Sequence, residues 1–232
     1  INSSDLPLVL HRLGTCLRDN YCRISNLADL EESLQLYRQA LKLLPEGSPN
    51  YTVVLNDLAN ILSDSFKRTG NLKEIDEAIA IHRQALKITP INSPDYYGHL
   101  QNLGLEIIVY RYPRSNDIAD LDEGIETLER ALKLKTANSP TRSSTLNGLG
   151  IGYSRRYSRI GIAVDREKAI SAYHEACESG ACLYWHESCL VSSQNWGKWA
   201  LKRHDWKEAA LAYQYGLDAA EKLFTAQLRR EN

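Results

Sequence analysis

Leu100-Gln101-Asn102-Leu103-Gly104 occurs in this chain in four versions. The others are Leu10-His11-Arg12-Leu13-Gly14, Leu55-Asn56-Asp57-Leu58-Ala59 and Leu146-Asn147-Gly148-Leu149-Gly150, so the leading leucines stand 45, 45 and 46 residues apart. Two leucines three apart, followed by a small residue, make an apolar helical stripe with a notch that admits a second helix. Downstream of each lies a matching set: Ser33/Tyr37/Ala40, Ala78/His82/Ala85, Gly124/Leu128/Ala131 and Ala169/Tyr173/Ala176. Small, large and small side chains at i, i+4 and i+7 again share one helical face. Each unit therefore reads as a helix hairpin. A period of this length marks a solenoid, in which a unit buries its apolar face only against its neighbours.

The joints between units repeat as well. Ile91-Asn92-Ser93-Pro94-Asp95 returns at the start of the chain as Ile1-Asn2-Ser3-Ser4-Asp5, with Glu46-Gly47-Ser48-Pro49-Asn50 and Ala137-Asn138-Ser139-Pro140-Thr141 at the other joints. Ser48-Pro49, Ser93-Pro94 and Ser139-Pro140 predict a serine cap with proline in the first turn. The second helices are expected over Asp29–Leu44, Ile75–Thr89 and Asp120–Leu134, with Pro45 and Pro90 closing two of them. Glu74, Asp120 and Asp165 sit where an acid suits the helix dipole, and Lys42, Lys87 and Lys133 suit the other end. The extra residue in the third interval is placed in the turn Ser115-Asn116-Asp117, opposite Gly70-Asn71. The expected fold is all-α, a right-handed superhelical solenoid of about five helix hairpins. Its units are expected over 5–48, 50–93, 95–139, 141–180 and 182–230 of a single domain.

The order Leu-x-x-Leu-Gly, then Ala-x-x-x-Tyr-x-x-Ala, then Pro resembles the tetratricopeptide repeat (TPR) family. That family's repeat is about 34 residues. The surplus here falls between Ala59 and Ala78 and between Pro90 and Leu103. HEAT and armadillo units match the period better, at about 40 to 47 residues, but the small-large-small spacing and the helix-closing proline favour the TPR pattern. The final quarter is a unit with a shorter turn, Ser192-Ser193-Gln194-Asn195-Trp196-Gly197-Lys198-Trp199-Ala200 followed by His204-Asp205-Trp206. With it, the chain resembles the repeat region that precedes a CHAT domain, a caspase-like cysteine protease. The resemblance implies an interaction scaffold serving as the regulatory or recruiting arm of such a protease. It carries over no catalytic residue, so the chain itself is not expected to be an enzyme.

In resembling solenoids the first helix of each hairpin lines a concave face. Carried over position by position, this nominates His11 with Thr15, Asn56 with Asn60, Gln101 with Leu105, Asn147 with Ile151, and Gln194 with Lys198. Amides at equivalent points of successive units would form a ladder for an extended peptide or protein segment, including the downstream domain of the same protein. Leu105, Ile108 and Ile151 would supply an apolar centre. The alternative is a merely solvated polar face. Arg155-Arg156 with Arg142, Arg159 and Arg166 read either as a solvated helix face or as a spot for an anion or acidic peptide at the groove's end, to which Arg155 is assigned.

Composition narrows the remaining classes. Among 232 residues, 28 basic against 29 acidic side chains give a net charge of −1, without the basic stripe of a nucleic-acid binder. No apolar run reaches the roughly 20 residues of a membrane span, so no membrane partner is expected. Methionine is absent and Ile1 falls within a joint between units, so the sequence is expected to be a piece of a longer chain. No Gly-rich phosphate loop, H-E-x-x-H or G-x-S-x-G occurs, and Gly148, Gly150 and Gly152 are assigned to close helix approach. Five cysteines, an odd and unevenly spread number, point to reduced thiols and the cytoplasm. His174, Cys177, Cys182, His186 and Cys189 leave a second reading open, a metal-binding or redox-responsive module. Cys182, His186 and Cys189 equally form one buried helical stripe, where cysteine acts as a small apolar residue. No cofactor is expected.

Overall fold

A computed structural model describes residues 5–134, 139, 141–178 and 183–228, and every regular element among them is helical. The chain divides after Glu106 into two compact units. The first holds α1 (Leu6–Ile24), α2 (Leu27–Leu43), α3 (Pro49–Thr69), α4 (Leu72–Ile88) and α5 (Pro94–Leu105). The second holds α6 (Tyr112–Ser115), α7 (Ile118–Lys133), α8 (Arg142–Ile160), α9 (Ala163–Glu178), α10 (Leu183–Lys202) and α11 (Trp206–Leu228).

Each hairpin turns in the same way. A left-handed residue ends the first helix: Ser25, Gly70, Asn116, Gly161 and His204 all have φ between 51° and 74°. In three turns the following Asn26, Asn71 or Asp117 then caps the second helix, its side-chain oxygen accepting from the N–H of Ala28, Lys73 or Ala119. The second helices consequently begin two or three residues before the expected Asp29, Ile75 and Asp120. Those acids lie at the third helical position instead, and there they tie the hairpin shut. Asp29 accepts from Asn20, Glu74 from Ser65 and Thr69, Asp120 from Ser115, and Asp165 from Arg156. Glu208 does the same in the last hairpin, accepting from Trp196 and Arg203.

Two boundary expectations need correcting. Pro140 lies outside the described residues, and α8 begins at Arg142 behind Thr141, so Ser139 is not its cap. Nor is the extra residue of the third interval in the turn, because Asn116-Asp117 is as short as Gly70-Asn71. It lies in the helix before it, where Glu106–Arg111 winds as a π-helix. Pro49–Thr69 is a plain 21-residue α-helix, and its counterpart from Pro94 to Ser115 is one residue longer. A widened turn takes up such an insertion without shifting the caps at either end.

The packing follows the two sequence patterns. Leu58, Leu103 and Leu149 are buried, and Ala40, Ala85, Ala131 and Ala176 are fully so. The notch residues meet the large residue of the second helix directly. A Cβ on Gly14 would fall 2.9 Å from the Tyr37 ring, and one on Gly150 would fall 2.6 Å from that of Tyr173. Gly197 stands in the same relation to Tyr213, at 2.6 Å.

Candidate functional site

The first helices of the second unit line an open groove of about 660 Å³. From α8 come Asn147, Ile151, Ser154, Arg155, Ser158 and Arg159, which recur at helical spacing on one face. From α10 come Val191, Asn195, Lys198, Trp199 and Lys202 on the matching face. Tyr173 of α9 closes the floor, and Val109 and Tyr112 form one wall. Trp199 is held in place: the Arg203 guanidinium lies 3.4 Å from its ring centroid and its indole N–H donates to Ser158 at 3.4 Å. A smaller recess of about 200 Å³ shares Asn147 and Val191 with the groove and adds Glu187.

Four of the nominated residues, Asn147, Ile151, Arg155 and Lys198, are thus brought together. Gln194 is exposed beside them but does not line the groove; Asn195 does, and its amide donates to Asn147 at 3.1 Å. In the first unit the nominated residues also face the next hairpin. His11 bonds Asp57 at 2.7 Å, and Asn102 donates to both Asn56 and Asn60 at 3.2 and 3.1 Å. Thr15 accepts from Tyr37 at 3.3 Å. Gln101 is buried, and Leu105 is half-buried. The expected ladder is therefore a set of clasps between successive hairpins. Each joins the residue after the first leucine to the position one further along in the next unit: His11 to Asp57, Asn56 to Asn102. Alignment alone pairs equivalent positions and so misses Asp57, Asn102 and Asn195.

The basic cluster separates into two groups. Arg142 bonds Glu175, Arg156 forks onto Asp165 and Asp122, and Arg166 reaches Asp205 and Glu208. These are structural pairs, and the Asp165 bond holds the Arg156 guanidinium above its ordinary range. Arg155 differs. Its guanidinium donates to the backbone carbonyl of Ile108 in the π-helical stretch and lies 6.0 Å from the Tyr112 ring. Burial pushes its pKa down, and it has no carboxylate partner among the described residues.

The Cys/His set does not assemble a metal centre among the described residues. Cys182 lies outside them. His174 uses both ring nitrogens, with Tyr215 Oη at 3.1 Å and Glu178 at 3.3 Å, and packs edge-on against Trp196. Cys189 is buried and its thiol donates to the Tyr215 carbonyl at 3.5 Å. A hydrogen bond to Cys189, together with burial, raises the Cys177 thiol out of the reactive range. Nothing here supports the metal reading.

A buried polar chain went unread in the sequence. His82 and His99, both fully buried, meet through Nδ1 atoms 3.2 Å apart. His82 Nε2 lies 3.5 Å from the Glu106 carboxylate without a hydrogen bond to it, and Glu106 accepts from Ser63. Burial, then the neighbouring His82, lowers the His99 pKa to about 4. His82 occupies the large position of its repeat, so the pattern marked it as core and hid its polar role.

The sequence matches no protein-family model and no curated protein. Solved structures do match it along nearly its whole length. A Podospora anserina putative kinesin light chain with nearly identical TPR-like repeats aligns with a TM-score of 0.64 and 16% identity, covering 95% of this chain and 97% of that one. The MamA protein aligns at 0.59 and 17%, covering 94% and 93%. A thermophilic TPR protein in Thermus thermophilus aligns at 0.58 and 19%, covering 96% of each. The fold is that of a TPR-like helical solenoid. At these identities the likeness speaks for the fold alone.

Proposed function

We propose that this TPR-like chain is a protein-interaction scaffold that takes a peptide or protein segment in the groove between α8 and α10. One observation carries the reading: nominated residues of two successive first helices converge on one open cleft with an aromatic floor and amide and hydroxyl rims, the composition expected of a recognition site. The Trp-rich last hairpin supports a narrower role, as the recruiting or regulatory arm of a CHAT-type protease. The exposed thiols of Cys16 and Cys22 fit work in a reducing compartment such as the cytoplasm.

Selection of a random peptide library on the purified chain tests the groove. Val191 is 52% exposed, so Val191→Trp obstructs the cleft without disturbing the core, and selected peptides should lose binding to it. The outer-helix change Glu32→Ala should have no effect. Binding that ignores Val191→Trp and tracks the second helices of the hairpins would move the working surface to those helices. Sequencing the parent gene past Asn232 tests the protease association, which requires a His and Cys dyad downstream.

A further inference from the structure

The groove carries side-chain charge of one sign among the described residues. Arg155 and Arg159 reach it from α8, and Lys198 and Lys202 from α10. No carboxylate lines it among the described residues, although acids pair with Arg142, Arg156 and Arg203 nearby. Arg159 and Lys202 stand in the last turns of their helices, where a cation is favoured by the dipole alone. Arg155 and Lys198 stand a turn earlier, where the dipole does not account for them. Arg155 is the informative one, since it is partly withdrawn from water, and among the described residues its neighbours are the neutral Ile108 carbonyl and the Tyr112 and Tyr173 side chains rather than a carboxylate. A guanidinium in that setting lacks the counter-charge that offsets its desolvation, and the open side of the groove is where one can arrive.

Resting on the groove reading above, we infer that the segment bound there is acidic, with Asp or Glu side chains meeting Arg155, Arg159, Lys198 and Lys202 and an apolar side chain seated toward Ile151 and Trp199. The Asn147 and Asn195 amides, already bonded to each other, retain donors and acceptors for the backbone of an extended segment. A polyanion such as a nucleic acid fits less well. The cations are confined to one end, Glu187 stands in the adjoining recess, and the chain as a whole carries a net charge of −1.

The random-library selection supplies the test. Enriched peptides should contain an excess of Asp and Glu. Their affinity should fall about tenfold in the Arg159→Gln, Lys198→Gln double variant and weaken steadily with added salt, as exposed charge pairs do. Both positions are exposed, so the variant should keep the wild-type melting temperature. Peptides without acidic excess that are blocked by Val191→Trp but indifferent to the double variant would overturn the inference and leave the groove reading standing. Peptides indifferent to Val191→Trp would overturn both. A single-stranded oligonucleotide that displaces the selected peptides and binds more tightly than they do would reassign the site to nucleic acid.

Discussion

Gly150 shows how much a single hydrogen atom decides in this fold. A Cβ there would sit 2.6 Å from a Tyr173 ring that is 1% exposed, so the ring would have to shift. Gly150→Ala, ordinarily favourable in a helix, should instead cost about 1–3 kcal/mol, read as a lowered urea midpoint. Gly47 meets nothing within 4 Å, and Gly47→Ala is the control. His99 makes a second residue-scale prediction. Its ordinary pKa of 6.5 falls to about 4 in the fold, so the unfolded chain binds the proton more readily between those values. Stability should be complete above about pH 6.5 and decline as pH falls toward 4. Urea titrations of wild type and His99→Gln across that window should show a smaller decline in the variant. An equal slope in both would mean that His99 is not the group responsible.

The hairpin was largely legible in the sequence, and its ends were not. Leucine spacing located the buried faces of α3, α5 and α8, and the small-large-small triplets those of α2, α4, α7 and α9, because burial repeats with the helix period. The starts of α2, α4 and α7 were misjudged because acids at the third position look like helix openers, while the true caps Asn71 and Asp117 read as turn and Asn26 was not singled out. Asn71→Ala and Asp117→Ala should each lower stability by about 0.5–2 kcal/mol in chemical unfolding, whereas Lys73→Ala on the same turn should change little. The candidate site was half legible for a related reason. A repeat alignment gives equivalent positions, but neighbouring first helices touch through non-equivalent ones, so Asn102 and Asn195, which bond Asn56, Asn60 and Asn147, were not named.

The first and last helices, α1 and α11, each leave large apolar side chains exposed. Leu6, Val9 and Leu13 of α1 are 39%, 41% and 46% exposed, whereas Tyr51, Val54 and Leu58 at the matching positions of α3 are buried. On α11, Leu217 and Phe224 are 66% and 62% exposed and seven residues apart, on one helical face. Faces of this kind bind hydrophobic dyes and other chains. Leu217→Glu with Phe224→Glu should reduce dye binding and raise the concentration at which the chain stays monodisperse in light scattering, with helicity unchanged. Equal dye binding by wild type and variant would show that the face is not a sticky one.

The π-helical stretch Glu106–Arg111 works as a phase adjuster. One residue advances an α-helix by about 100°, so a repeat that has gained a residue must either turn its remaining side chains away from their neighbours or take up the rotation locally. Here the widened turn absorbs it, leaving Tyr112 against the groove and Ser115 against Asp120. Deleting Val109 should therefore not simply shorten the chain by one. It should restore a plain α-helix of the length seen in α3, keep the far-ultraviolet helical signal, and remove the Ile108 carbonyl as the Arg155 partner. Repeat length would then become regular while the groove lost a wall, so peptide binding should fall although the array looks more uniform than before.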